Sequence, residues 1–287
     1  MNKFFHKKFI YLVFLILLTA DIFIWSAIFS GAPAENPEFY FLDVGQGDSE
    51  LVVLPGNVKL LIDGGPDSKV LSSLSDILSP ADRHIDLVIL THPQLDHFGG
   101  LIDVVRNYQI GAFVSNGRKS PIGAYKDLRE SLIKNNIPYV ALSESDRIKY
   151  KDYVFEILSP SQSNLLSREL NDTALVMLLK SSNLTALYTG DAGFNIENEL
   201  MKKYDLNVDI LKVGHHGSKY ASSMEFLNKV SPKISAIGVG KNSYGHPTKE
   251  TLSRLADIGS QIFRTDKDGT IKVAVESESI KVWNTRQ

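Results

Sequence analysis

The sequence predicts a mixed α/β domain with much antiparallel strand pairing, carried behind one N-terminal apolar helix. Three observations lead there. A nearly unbroken apolar run covers residues 9–29, preceded by the basic flank Lys3, Lys7 and Lys8. From residue 38 onward, short apolar runs of β type alternate with stretches of helical periodicity. Histidines and aspartates gather in polar, glycine-containing loops that follow those runs, where a rigid scaffold commonly carries its chemistry.

The first element, residues 1–30, reads as a membrane anchor. About 20 apolar residues span a bilayer core, and a basic flank stays cytoplasmic. A single pass through the cell membrane then leaves the domain outside the cytoplasm. The rival is a cleaved signal peptide, with Ala32-Pro33-Ala34 as its small-residue site, which would secrete the domain. Its apolar region would exceed the usual length of about 7–15 residues. Residues 31–37 form a linker whose prolines, Pro33 and Pro37, discourage helix. The domain proper runs from 38 to 285. Strands are expected at 39–44, 50–54 and 59–62, separated by Gly, Pro and Asp turns. A helix at 71–78 precedes a buried strand at 86–90, and helices follow at 101–108 and 124–135. Further strands lie at 154–158, 175–179, 186–188, 208–212 and 234–239, with helices at 196–203, 223–229 and 249–256 among them. Strands at 262–264, 271–275 and 280–283 close the chain.

Composition narrows the chemistry. The chain of 287 residues is 43% hydrophobic, ample for a sizeable core, and its formal net charge is -2. No general basic field exists to hold a polyanion, so positive charge for a phosphodiester would have to be supplied locally by metal ions. Cysteine is absent. That excludes disulfides, thiolate nucleophiles and Cys-ligated zinc, and leaves His, Asp and Glu as metal donors.

Four segments carry such donors. Thr91-His92-Pro93-Gln94-Leu95-Asp96-His97 follows the strand at 86–90, and Gly99-Gly100 opens the next helix. Imidazole nitrogens and carboxylate oxygens there suit Zn²⁺ or Mn²⁺. Tyr188-Thr189-Gly190-Asp191 ends an apolar strand with a carboxylate able to bridge two cations. Leu211-Lys212-Val213-Gly214-His215-His216-Gly217-Ser218 brackets a histidine pair with glycines that allow close backbone approach. One of those imidazoles can donate a proton to a leaving oxygen near neutral pH. Asn242-Ser243-Tyr244-Gly245-His246-Pro247 places another histidine in a loop after a strand. His84, beside Arg83 and Asp82, and His6 in the basic flank read as ordinary surface residues.

Gln94 apart, the His-x-[His/Asp]-x-Asp-His pattern resembles the signature of the metallo-β-lactamase superfamily. Six further segments occur in the order found in the extracellular hydrolase domain of ComEC-type DNA-uptake proteins. They are Leu42-Asp43-Val44-Gly45-Gln46-Gly47-Asp48-Ser49, Leu61-Ile62-Asp63-Gly64-Gly65, Asn171-Asp172-Thr173-Ala174-Leu175-Val176, Thr189-Gly190-Asp191, His215-His216-Gly217-Ser218 and Tyr244-Gly245-His246-Pro247. The resemblance covers roughly residues 37–285 and lacks the multi-span channel. It implies a four-layer αββα sandwich with one or two divalent ions, Zn²⁺ or Mn²⁺, at one edge. By position it puts His92 in a first metal site and Asp96, His97 and His246 in a second, with Asp191 bridging. His215 and His216 fall where related enzymes bind substrate or donate a proton, with Ser218 beside them, while Asp63 orients the ligand loop. Asp48 and Ser49 are expected near the mouth. Gln94 stands where a stronger His or Asp ligand is usual, and Asn171-Asp172 stands where a further histidine is usual. The first site is thus poor in donors and the second complete.

The resemblance implies a metal-dependent phosphodiesterase or nuclease, with Asp96, Asp191, His215 and His216 as catalytic residues. Extracellular DNA would be its substrate and competence proteins its partners. Two other readings use the same residues. One is hydrolysis of another exported phosphodiester, such as cell-wall choline-phosphate esters. The other is a catalytically impaired domain that only binds DNA or a partner protein. Oligomeric state is not written in the sequence.

Overall fold

The computed structural model describes residues 2–30, 36–276 and 279–286; the expected linker and the Ala32-Pro33-Ala34 site fall almost wholly outside them. Helix α1 covers Asn2–Ser30. Within it Lys7–Ser26 is long and apolar enough to cross a membrane, and none of that apolar window is buried. An exposed helix that is apolar all round suits lipid or a signal segment.

The chain then builds one sheet from β1 (Glu38–Phe41), β2 (Glu50–Leu54), β3 (Val58–Ile62), β4 (His84–Leu90), β5 (Gln109–Ser115) and β6 (Tyr139–Ala141). A second sheet follows from β7 (Arg147–Tyr150), β8 (Tyr153–Ser159), β9 (Val176–Lys180), β10 (Thr185–Tyr188), β11 (Ile210–Lys212), β12 (Ile234–Ile237) and β13 (Gln261–Arg264). The chain returns to the first sheet with β14 (Ile271–Glu276) and β15 (Ser279–Asn284). Strand order is β15-β14-β1-β2-β3-β4-β5-β6 in the first sheet and β13-β12-β11-β10-β9-β8-β7 in the second. Antiparallel pairs dominate the meanders at β14-β1-β2-β3 and β7-β8-β9-β10, whereas β3 to β6 and β10 to β13 run parallel.

Three apolar clusters make four layers. Phe39, Phe41, Val52, Ile62, Ile157, Met177, Tyr188 and Ala236 fill the space between the sheets. On the outer face of the first sheet, Leu61, Val88 and Leu90 pack under α2 (Lys69–Ser75), α3 (Leu101–Asn107) and α4 (Ala124–Lys134). On the outer face of the second, Leu187, Leu211 and Ile237 pack under α5 (Phe194–Lys203), α6 (Met224–Val230) and α7 (Lys249–Asp257). Strands covered on both faces need apolar residues at successive positions, as in Val88-Ile89-Leu90. The architecture is the αββα sandwich expected. Strands β5, β6 and β7 are additions to the expected set, because Gln109 and Gly111 interrupt the first and the other two are short edge strands with exposed side chains.

Backbone contact positions the first ligand loop. A Cβ on Gly99 would sit 2.0 Å from the Pro66 carbonyl oxygen, and one on Gly100 2.1 Å from that of Gly64. Only hydrogen fits there. The Gly64 amide donates to the His97 carbonyl at 2.7 Å, and the Asp48 amide to the Asp96 carbonyl at 3.2 Å. Gly100→Ala is therefore expected to push the loop off its seat, costing roughly 1–3 kcal/mol. Thermal unfolding measures the loss; an unchanged midpoint would show that the close packing is dispensable.

Candidate metal centre

Parallel strands end at one edge of each sheet, and the candidate residues lie just past those ends. Asp63 follows β3, His92 to His97 follow β4, Asp191 follows β10, and His215 and His216 follow β11. Crevices beyond the carboxyl ends of parallel strands are the usual ligand sites of such sheets. Here they face one cleft of about 400 Å³, lined in part by Gln94, Leu95, Asp96, Asp191, His215 and His216.

Asp191 forms the floor and is 1% exposed. His97 Nε2 lies 3.4 Å from its Oδ1; His216 Nε2, His215 Nε2 and His92 Nε2 lie 3.7, 3.8 and 4.0 Å from its Oδ2. His216 Nε2 is also 3.3 Å from Asp96 Oδ2. Each buried ring is held from behind. His97 Nδ1 bonds Asp63 Oδ2 at 2.7 Å. His216 Nδ1 donates to the Gly238 carbonyl at 2.8 Å. Thr91 gives its hydroxyl proton to Asp63 Oδ2 at 2.7 Å, so its oxygen accepts from His92 Nδ1 at 3.0 Å. That fixes the His92 tautomer and leaves a lone pair on Nε2 facing Asp191. His215 and His216 adopt left-handed backbone, with φ of 49° and 52°. Consecutive non-glycine residues in that region are strained, and the strain turns the two rings to different tasks, 6.2 Å apart at 73°.

Beneath the floor lies a buried ion pair that sequence reasoning missed. Lys212 Nζ contacts Asp48 Oδ2 at 2.5 Å and the Val213 carbonyl at 3.0 Å. Asp48 Oδ1 is 3.2 Å from His216 Nδ1, the nitrogen turned away from Asp191. Burial opposes charge on Asp48, yet Lys212 and His216 hold its carboxyl down at about 2. Burial likewise lowers His216, but Asp48 and Asp191 prevail and lift it to about 10. His97 is raised against burial by Asp191 and Asp63. His92 is pushed down to about 4 by burial and by the charge on His97. Burial with Asp48 nearby raises Glu50 well above the usual carboxylate range.

Residues 42–241 match the family model described as the metallo-beta-lactamase superfamily. The chain belongs to the metallo-beta-lactamase superfamily. It is 30% identical over 256 residues to ComE operon protein 3 of Bacillus subtilis (strain 168), covering 82% of this chain and 32% of that protein. To Competence protein ComA of Neisseria gonorrhoeae it is 30% identical over 248 residues, covering 85% of this chain and 33% of that one. The chain thus spans about a third of the length of these curated relatives. Among solved structures, the metallo-beta-lactamase fold protein YhfI of Bacillus subtilis superposes with a TM-score of 0.57 at 13% identity, over 86% of this chain and all of that one. The superfamily is one of metal-dependent hydrolases.

The donor set fits divalent ions. His92 Nε2, His97 Nε2, His216 Nε2 and Asp191 Oδ1 are buried without a partner in hydrogen-bond geometry, although buried polar atoms nearly always have one. One donor atom each from Asp48, His97, Asp191 and His216 lies within 4.8 Å of the others. Asp48 reaches this group from behind His216, while Asp96 Oδ2, 3.3 Å from His216 Nε2, faces it from the cleft side. His216 lies against Asp96 and Asp191, whereas the His246 ring lies on the cleft wall 5.6 Å from that of His215, with its Nδ1 also buried without a partner. Several expectations need correction here. Asp48 and Ser49 are not at the mouth. Both are buried, Asp48 behind His216, and Ser49 with its hydroxyl on the Asp63 carbonyl at 3.0 Å. Gln94 Nε2 donates to Asn171 Oδ1 at 2.6 Å, so the two amides satisfy each other where further ligands were sought. Asp172 accepts from Ser167 Oγ at 2.9 Å and is not among the cleft residues. Ser218 is buried and braces the turn through its amide on the His215 carbonyl at 2.9 Å.

These charges set a pH dependence. Because His97 and His216 are raised, both carry a proton at neutral pH until a cation displaces it. Ion binding should release protons and tighten as pH rises towards about 10 for His216, with His92 already neutral. Calorimetric titration of Mn²⁺ into the metal-free protein at pH 7, in buffers of differing ionisation enthalpy, checks this. A binding enthalpy independent of the buffer would rule it out.

Proposed function

We propose that this protein is a metal-dependent phosphodiesterase of the cell surface, acting on extracellular DNA in a competence setting. The convergence of partnerless imidazole and carboxylate atoms on Asp191 at the base of an open cleft carries the reading. Lys3, Lys7 and Lys8, at the start of α1 and ahead of its apolar run, support an orientation with the domain outside the cytoplasm. The names of the two curated relatives support the link to competence.

Asp96, His97, Asp191 and His216 would hold one ion, and His92 with Asp191 a weaker second. When bound, such ions lower the pKa of water from 15.7 towards about 7 and offset negative charge developing on phosphorus. Asp191 orients the attacking water at the floor. His215, partly exposed on the wall, is the group free to protonate the leaving oxygen, since His216 is committed below it. Its ring is steadied by Asn171 Nδ2, 3.4 Å from Nδ1. The reaction adds water across the P–O bond, and the proton that His215 gives to the leaving oxygen is regained from solvent.

The Gln94–Asn171 amide pair makes one tightly held ion per chain the expected content. Neutral amides are weak ligands for Zn²⁺ and tolerable for harder ions, and here the Asn171 oxygen is already engaged by Gln94 Nε2. Gln94→His, which frees Asn171 and supplies an imidazole, should raise the content towards two by elemental analysis of protein loaded with Zn²⁺. A wild-type content of two would refute the assignment. The central test is hydrolysis of single-stranded DNA and bis(p-nitrophenyl) phosphate by the full chain in detergent with Mn²⁺ or Zn²⁺. Asp191→Asn, nearly identical in shape, should lower kcat by roughly 10²-fold or more. Failure of the folded, metal-loaded wild type to turn over either compound would defeat the phosphodiesterase reading.

A further inference from the structure

Hydrolysis of a phosphodiester does not require an aromatic ring standing in open water beside the cleft, yet Tyr244 stands there 73% exposed. A single exposed aromatic is ordinary on a protein surface. Two features set this one apart.

The first is the loop that presents it. Asn242 ties the segment together with its whole side chain. Its Nδ2 donates to the Gly240 and His246 carbonyls at 2.9 and 2.8 Å, and its Oδ1 accepts from the Tyr244 and His246 amides, both at 3.1 Å. Gly245 takes the left-handed turn, with φ of 75°. A Cβ on Gly240 would lie 2.4 Å from the Gly45 carbonyl carbon, so the base of the loop is pressed against the opposite sheet's loop. The Gly240 amide also donates to Gln46 Oε1 at 3.2 Å. A rotamer-poor aromatic carried on a tied backbone has only its side-chain torsions to order when a ligand arrives, which lowers the ordering cost of binding.

The second is position. From Asp191 on the floor, His215 Nε2 is 3.8 Å away, the His246 ring lies 5.6 Å from the His215 ring, and the Tyr244 ring lies 5.8 Å beyond that, tilted 32° to it. The cleft therefore grades from charged donors at its floor to an aromatic face at its rim, with exposed Leu95 also on its lining. That gradient matches a charged phosphodiester carrying a flat apolar group. The chain's net charge of -2 gives no general attraction for a polyanion, so beyond the one phosphate met at the cleft floor a strand gains from contacts to its bases.

We propose that Tyr244 is a stacking platform for an unpaired nucleobase attached to the phosphodiester at the cleft floor, an inference that rests on the phosphodiesterase reading above. Stacking tolerates every base because each has a π face. It also requires the base to be unstacked from its neighbours, which favours single strands over duplex.

Equilibrium binding to the full chain in detergent with Mn²⁺ tests it, using the Asp191→Asn background so that the strand stays intact. The probes are a single-stranded oligonucleotide and a strand of equal length and charge built of abasic sites. Tyr244→Ala should weaken the oligonucleotide roughly 5- to 100-fold, the range of one base–aromatic stack. Tyr244→Phe should restore most of it, and the abasic strand should respond to neither by more than about twofold. Equal weakening of both strands, no weakening of either, or no measurable binding of the oligonucleotide would overturn the platform. The turnover assay reports separately on the reaction: retained base-dependent binding without hydrolysis would sink the enzyme and keep the stack.

Discussion

A carboxylate sealed from water must be met by positive charge, and in this molecule Asp191 is that carboxylate. An isolated buried ion costs far more than a domain's whole stability margin. The surrounding residues answer it in tiers. His97, His216, His215 and His92 face Asp191 directly. Asp63 and Asp48 stand behind two of those rings, and Lys212 stands behind Asp48. Remove any tier and the one in front loses either its charge or its aim. Protons on His97 and His216 balance Asp191 in the absence of an ion, and an ion replaces them when it binds. The arrangement is consequently charged in either state.

Geometry follows from backbone as much as from side chains. Loops at 45–49, 63–67 and 92–100 lock through amide–carbonyl bonds and glycines with no room for a methyl group. Rings borne on those loops inherit the stiffness of the sheets beneath them. Where rigidity of this kind is absent, a site with the right residues can still be too loose to act.

Much of this was legible in residue order. Strands covered on both faces announce themselves as unbroken apolar runs, and the loops after them carried His92, Asp96, His97, Asp191 and the His215-His216 pair in view. The missing strands had physical reasons: β5 is broken by Gln109 and Gly111, and β6 and β7 are edges whose side chains face solvent. That His216 and not His215 lies against Asp96 was hidden for a different reason. Two adjacent histidines look equivalent on paper, and only their left-handed backbone turns one to the floor and the other to the wall. Lys212 was equally hidden. As the last residue of an apolar strand it reads like a solvent-facing end, and its partner Asp48 is 164 positions away. Glycine-flanked Asp48 in turn looks like a mouth residue until the second sheet closes over it.

That distance in sequence has a temporal meaning. Asp48 is made early and Lys212 late, and each belongs to a different sheet. During synthesis the amino-terminal half emerges first, carrying Asp48 before its partner Lys212 exists, whereas Asp63 already has His97. The first sheet waits as well, since β14 and β15 complete it from the far end of the chain. The two halves are thus joined by an ion pair at the same place where they are shaped for chemistry.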